Sequence, residues 1–258
     1  MQFLQILKSK KNNELYIWGL MLTLILIIIE EFLMPRSGIH SGDLYPRYFL
    51  LKPIPSQFIY VFEWILQISC IVLIIKRKFT KPALLTLTTI FIFGTLQVYS
   101  NHKFLVLINL LSLCLSKDIY LSPSGDKQQN KIYNFIKIQL IIVYFFSLAY
   151  KLEGSFYNGQ SLEVLLSTIA NSSFEPIISK SFHLWLIQFP TIILIFSWMT
   201  LLFEGIIPIA LSRYYKVGLL MQIILHAGFS FLMPGILTFG SIMITMGILF
   251  SHNNSQEM

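Results

Sequence analysis

One amine stands at the end of an apolar run: Lys151, within Val143-Tyr-Phe-Phe-Ser-Leu-Ala-Tyr-Lys-Leu-Glu-Gly-Ser-Phe-Tyr-Asn-Gly159. An ammonium in hydrocarbon is costly unless it snorkels to the interface, finds a partner or gives up its proton. The last of these yields chemistry, because a neutral amine in apolar surroundings is a general base. The competing reading is that the four-carbon stem carries the charge to the headgroups. The residue by itself leaves both readings open. His102, after Asn101, opens a short apolar run on the same expected side as Lys151 and is the natural second member of an outward-opening site.

Further polar residues interrupt the apolar spans or their edges: Glu30, Glu31, Glu63, Asn109, Gln139, Glu204, Gln222 and His226. Each must be paired or face a cavity. Glu63 and Gln67 are four apart, hence on one helical face, with Trp64 beside them. Pairing to another helix accounts for them as well as catalysis does. Glu204 precedes Pro208 by four residues and lies near the expected inner end of its span, where it pairs with Arg213 or faces the interior in a structural role. His226 sits in Leu225-His-Ala-Gly228, where small neighbours admit a close approach, although a lone buried histidine is more often a packing element. Glu153 follows Lys151 by two residues within the same segment.

Metal, nucleotide and acyl-transfer chemistry lack their motifs. There is no His-Glu-x-x-His, no Cys-x-x-Cys, no glycine-rich phosphate loop and no serine nucleophile elbow. Cys70 and Cys114 both fall in apolar runs and are expected to be buried free thiols, since spacing alone does not decide a disulfide.

The elements that must position these residues follow from hydropathy. Of 258 residues, 55% are hydrophobic and 12% charged, about half the usual charge fraction, and the mean hydropathy is +0.69. Apolar runs at 15–35, 58–76, 82–99, 132–150, 184–211, 216–233 and 236–251 approach membrane-spanning length, and a shorter run at 102–116 makes an eighth. The expectation is an all-α polytopic membrane bundle of about eight helices, because helices satisfy their own backbone in lipid. The shorter run is tilted, thinned around or buried among the others. No small-residue cleavage motif follows the first run, which is read as a retained anchor.

The net charge of +7 and pI near 9.3 do not imply nucleic acid here. Thirteen of the 19 Lys and Arg residues fall at Lys8–Lys11, Lys76–Lys81, Lys117–Lys137 and Arg213–Lys216, in alternation across the spans. That bias places those segments and both termini in the cytoplasm and Lys151 outside. Residues 161–178 alternate apolar residues with Glu163, Ser167, Thr168 and Asn171 at helical spacing, as in an amphipathic helix on the outer surface. The turn-rich stretch 35–55 reads as an outer cap, and 122–130 as a polar cytoplasmic loop. The chain is read as a single transmembrane domain over 1–258 with no soluble C-terminal domain.

Four stretches taken together resemble the membrane domain of vitamin K-dependent γ-glutamyl carboxylase and the wider bacterial HTTM (horizontally transferred transmembrane) family. They are Asp43-Leu-Tyr-Pro-Arg-Tyr-Phe-Leu-Leu-Lys-Pro-Ile-Pro55, Ser100-Asn-His-Lys-Phe-Leu105 with the downstream Leu-Ser-Lys-Asp-Ile-Tyr-Leu-Ser, the Val143 segment extended to Leu165, and Leu225-His226 through Phe250. The third is the most specific, and Lys151 falls on the lysine that in the carboxylase deprotonates vitamin K hydroquinone. His102 falls on a histidine thought to support the developing charge. The resemblance implies an outward-facing Lys/His site and a quinol-like cofactor; Asn101, His226, Glu204, Glu63 and Glu153, polar residues in or beside the apolar runs, are the candidates to support it. The carboxylase carries a large soluble region that this chain lacks, so shorter relatives of sporulation-delaying type, which assist maturation or export of a secreted antimicrobial peptide, are the nearer comparison. The implied setting is a bacterial plasma membrane, with lipids, a secreted peptide and small operon-encoded proteins as partners. The alternative is a non-catalytic chaperone, immunity or export partner. Transport is a weaker option, since no symmetrical pair of interrupted spans is present.

Overall fold

The computed structural model describes residues 2–33, 57–97, 101–116, 119–120, 127–171, 179–233 and 236–251. Ten helices account for nearly all of them, and no strand occurs among the described residues. They are α1 (Gln2–Leu33), α2 (Gln57–Ile75), α3 (Thr80–Gln97), α4 (Asn101–Cys114), α5 (Lys127–Glu153), α6 (Gln160–Asn171), α7 (Lys180–Ile187), α8 (Pro190–Arg213), α9 (Tyr215–Leu232) and α10 (Ile236–Ile248). The all-helical expectation is met, and helices occupy each of the eight predicted apolar runs. Four are long and apolar enough to cross a membrane: Asn12–Phe32, Gln128–Glu153, Pro190–Arg213 and Tyr215–Leu232. Val61–Ile75, Asn101–Cys114 and Ile236–Ser251 are shorter apolar helices. The stretch 35–55, which carries the first resemblance segment, and most of 122–130 lie outside the described residues.

The predicted run 184–211 is two helices. Pro190 has no amide hydrogen and disfavours helix at the residue before it, so the chain breaks at Gln188 and Phe189 and restarts with proline in the first turn. The turn between α2 and α3 is tight, with Arg77 and Phe79 at φ 55° and 49°, in the left-handed region. Arg77 reaches back to Glu14 at 2.6 Å and lies 4.5 Å over the Tyr120 ring.

The chain divides into two compact units, residues 1–136 and 137–258, with the division falling inside α5. In unit 1, α2 packs on α1 and α3, and α3 on α4. Its interior holds Tyr16, Leu20, Leu24, Leu84, Leu87 and Val106. Buried Tyr16 donates to Asn109 Oδ1 at 2.6 Å, so the asparagine inside α4 is satisfied. In unit 2, α9 packs on α8 and α10, and α6 on α7. Leu162, Leu166, Ile169, Leu186, Ile193 and Met233 form a cluster that takes up the apolar face of α6, the amphipathic element.

In unit 2, α8 and α9 bury polar side chains among apolar ones while exposing large apolar side chains. On α8 the buried face carries Ser197, Thr200 and Glu204, whereas Ile195, Trp198, Leu202, Ile206 and Ile209 are exposed. On α9 the buried face carries Gly218, Gln222, His226 and Ser230, with Leu220, Ile223, Ile224 and Phe231 outside. Water would penalise that arrangement, and lipid permits it, because tails are as apolar as the outward side chains.

Close approach inside this unit relies on glycine. A Cβ at Gly218 would stand 2.7 Å from the Ala210 carbonyl carbon, and one at Gly240 would stand 2.9 Å from His226 Cβ. Gly159, at φ 83°, turns the chain between α5 and α6.

Candidate functional site

Three residues of α5 share one face by helical spacing: Tyr144, Ser147 and Lys151. Side chains lean toward the helix N-terminus, so a lysine in the last turn leans back along the helix by default. Lys151 follows that geometry. Its Nζ donates to Ser147 Oγ at 3.1 Å, four residues earlier, and forms an ion pair with Glu204 of α8. Ser147 Oγ also lies 3.1 and 3.2 Å from the two Glu204 carboxylate oxygens. The Phe156 ring flanks the ammonium, its centroid 5.2 Å from Nζ. The side chains of Lys151 and Glu204 retain 21% and 8% exposure.

Of the alternatives open to Lys151, the structure shows a partner: the side chain folds back along its helical face to Ser147 and Glu204. Glu204 pairs with Lys151 rather than with Arg213, which stands exposed nine residues further along α8, about 13 Å on the axis. The contact also sets Glu204 level with the Lys151–Ser147 turn, so sidedness inferred from its place in the run does not separate the two. Pro208 adds a local feature. It cannot donate the bond that would close on the Glu204 carbonyl, so α8 lacks one backbone hydrogen bond at the residue that holds the lysine.

One turn toward the start of α5, the Tyr144 hydroxyl meets His226 Nε2 at 2.9 Å. Ser230 Oγ donates to the His226 carbonyl at 2.7 Å, and Phe239 packs edge-on against the imidazole at 5.7 Å. Gln222, one turn before His226, donates to the Met243 carbonyl at 2.8 Å. His226 is therefore a hydrogen-bonded packing element that bridges α5, α9 and α10, and a member of the polar interior of unit 2.

His102 belongs to unit 1. It is buried at the start of α4, its Nε2 3.9 Å from Glu30 Oε2. Its neighbour Lys103 is also buried and forms an ion pair with Glu31, whose other carboxylate oxygen accepts from Trp64 Nε1 at 3.1 Å. Gln67 Nε2 donates to Glu63 Oε1 at 3.2 Å, as the four-residue spacing on α2 implied. Asn101 is exposed at the first position of α4 and Glu153 at the last of α5.

The Lys103–Glu31 pair is not singled out by the sequence. Two charges of opposite sign, each next to an apolar run, were the available signal. Serine and tyrosine at the Lys151 spacing were legible as well, had the stripe been extended backwards.

Cys70 is buried and Cys114 half-buried, both as free thiols, and Cys114 Sγ lies 3.3 Å from Thr88 Oγ1. Among the described residues, no group of three or more His, Cys, Asp or Glu stands close enough to hold a metal ion. Compared with known protein families, curated proteins and solved structures, the chain matches none.

The arrangement sets an amine, a carboxylate and a hydroxyl in one hydrogen-bonded group on the facing polar sides of α5 and α8.

Proposed function

We propose that the chain is a multi-pass protein of a bacterial plasma membrane that acts in the modification, maturation or export of a secreted peptide, with Lys151 and Glu204 as its proton-handling groups. The observation that carries this reading is the Lys151–Glu204–Ser147 cluster on the buried faces of two apolar helices. Ionisable residues held inside such helices mark reactive or proton-conducting sites more often than incidental ones. In this reading the bundle has about eight spans, both termini are cytoplasmic and Lys151 opens outward, as the distribution of Lys and Arg implies.

Lys151 is the base in this scheme, Glu204 receives its proton and returns it, and Ser147 orients both. An amine–carboxylate pair beside the Phe156 ring suits an apolar ring bearing an acidic hydroxyl, so the quinol of the resemblance is a compatible cofactor class. Such a group would supply redox chemistry when bound; Lys151 and Glu204 would hold its hydroxyl. His102 retains the supporting role that the resemblance implies.

The second reading is a non-catalytic chaperone, immunity or export partner. Ser147 and Phe156 favour it, because they complete the surroundings of an ammonium that stays protonated. The experiment is mass spectrometry of the peptides secreted by cells carrying wild type, Lys151→Ala or Lys151→Arg, with protein amounts matched by blot. Arginine keeps charge and reach but does not deprotonate. Loss or mass change of a product in both variants supports the base. If Lys151→Arg leaves every product intact, the base reading fails and the partner reading replaces it.

A further inference from the structure

One contact in unit 2 asks more of a side chain than its neutral form can give. His183 of α7 is 0% exposed, and both of its ring nitrogens face backbone carbonyl oxygens. Nδ1 lies 3.1 Å from the Ser179 oxygen, and Nε2 lies 2.7 Å from the Leu232 oxygen. A carbonyl oxygen only accepts, and a neutral imidazole has a single N–H to give. Either neutral tautomer therefore sets a ring lone pair against a carbonyl oxygen in a place closed to water. Turning the ring over exchanges both nitrogens for ring carbons and leaves both oxygens without this donor. The doubly protonated ring satisfies both contacts.

The surroundings suit a cation. Leu232 is the last residue of α9, so its carbonyl is one that the helix leaves unpaired, at the negative end of the helix dipole. Lys180 lies on α7 itself. Of the elements packed on α7, α6 carries Glu163 and α8 carries Glu204 and Arg213; α9, which supplies the Leu232 carbonyl, carries Tyr215, Lys216 and His226. Among the described residues, none of these side chains hydrogen-bonds or ion-pairs with the imidazole, whose polar partners are the two carbonyl groups.

The helix depends on this contact. With eight residues α7 is too short to persist by itself, and its buried side chains are His183 and Leu186. Leu186 enters the apolar cluster that seats α6, as does Met233, the residue after Leu232. The histidine bridge thus stands at the edge of that cluster.

We propose that His183 is an imidazolium that clips α7 to the end of α9, and that loss of its second proton loosens α7, a pH-sensitive catch built into unit 2. Acid keeps both N–H donors. Base removes one and sets a lone pair against a carbonyl oxygen, so the docking of α7 weakens as pH rises. The proposal stands apart from the Lys151 chemistry, and it is read from local packing rather than from a secreted product.

The test is amide hydrogen exchange of the purified full-length chain in nanodiscs, followed by mass spectrometry between about pH 5 and 8 and corrected for the intrinsic pH dependence of exchange. Protection over 180–189 is expected to fall about tenfold as the pH rises, while 201–211 of α8 keep theirs. His183→Gln, whose amide cannot span both oxygens, is expected to show the lower protection at every pH. A second measurement needs no variant. In solid-state NMR of the wild type, with histidine labelled at its ring nitrogens and leucine at its carbonyl carbon, the contact with Leu232 identifies the His183 ring. Two N–H signals from that ring at the acid end support the proposal. A bare ring nitrogen there, or protection over 180–189 that does not change with pH, overturns it.

Discussion

Lys151 and Glu204 are 53 positions apart in the chain, yet the ammonium of one is committed to the carboxylate of the other, and it reaches that carboxylate by pointing back along its own helix toward Ser147. The backward orientation brings Ser147 and Glu204 into one hydrogen-bonded group and ties α5 to α8 on their polar faces.

Removing one member of this pair strands the other. Lys151→Met and Glu204→Gln are each expected to lower stability by about 2–3 kcal/mol, less than a fully buried pair because the lysine is partly exposed. The double variant should lose clearly less than the sum. Reversible unfolding in mixed micelles, analysed as a double-mutant cycle, measures the coupling; strict additivity would show that the two charges do not stabilise one another.

Glycine positions separate packing from spare room. Gly218→Ala drives a Cβ into the backbone of Ala210 and Leu211, and Gly247→Ala drives one into Gln222 Oε1. Each is expected to cost about 1–3 kcal/mol, with Gly218 the worse because backbone cannot rotate away. Gly228→Ala meets nothing within 4 Å and should be neutral or slightly stabilising through helix propensity. Thermal midpoints of the three variants in one detergent give the ranking directly; equal losses would contradict the helix contacts described.

The Tyr144 hydroxyl is the side-chain partner of His226 Nε2. Tyr144→Phe leaves that nitrogen buried without it, and the expected loss is about 1–3 kcal/mol with little change in packing volume. Adding His226→Leu to Tyr144→Phe removes both halves and should recover part of the loss. If Tyr144→Phe is silent in the same unfolding assay, the contact contributes nothing.

The proposed topology makes opposite demands on two turns. In a background with Cys70 and Cys114 replaced by serine or alanine, single cysteines at Lys78 and Asn158 should react with a membrane-impermeant maleimide from opposite sides. Lys78 should label only after permeabilisation and Asn158 in intact cells, since both positions are exposed. Labelling of both from one side would refute the alternation read from the Lys and Arg distribution.

Helix positions were legible because hydropathy and breakers are local properties. Each predicted apolar run contains a helix, and Pro190 marks the break that hydropathy alone smoothed over in 184–211. Pairing was not legible, because which polar face meets which depends on helix rotation and neighbour choice. For Glu204 the sequence leaves open a pair with Arg213 or a place facing the interior, and its partner lies on α5. Lys103 and Glu31 likewise lie 72 positions apart, and nothing local in the sequence joins them into the buried pair they form. The Glu63–Gln67 contact was legible because both residues sit on one helix, where spacing fixes distance.

Pro208 gives the site a mechanical character. A helix bends most readily where a backbone bond is missing, and the bond missing from α8 is the one that would end at Glu204. The residue that holds Lys151 thus stands where α8 is least restrained by its own backbone, with Ile206 and Ile209 exposed on the turn beside it.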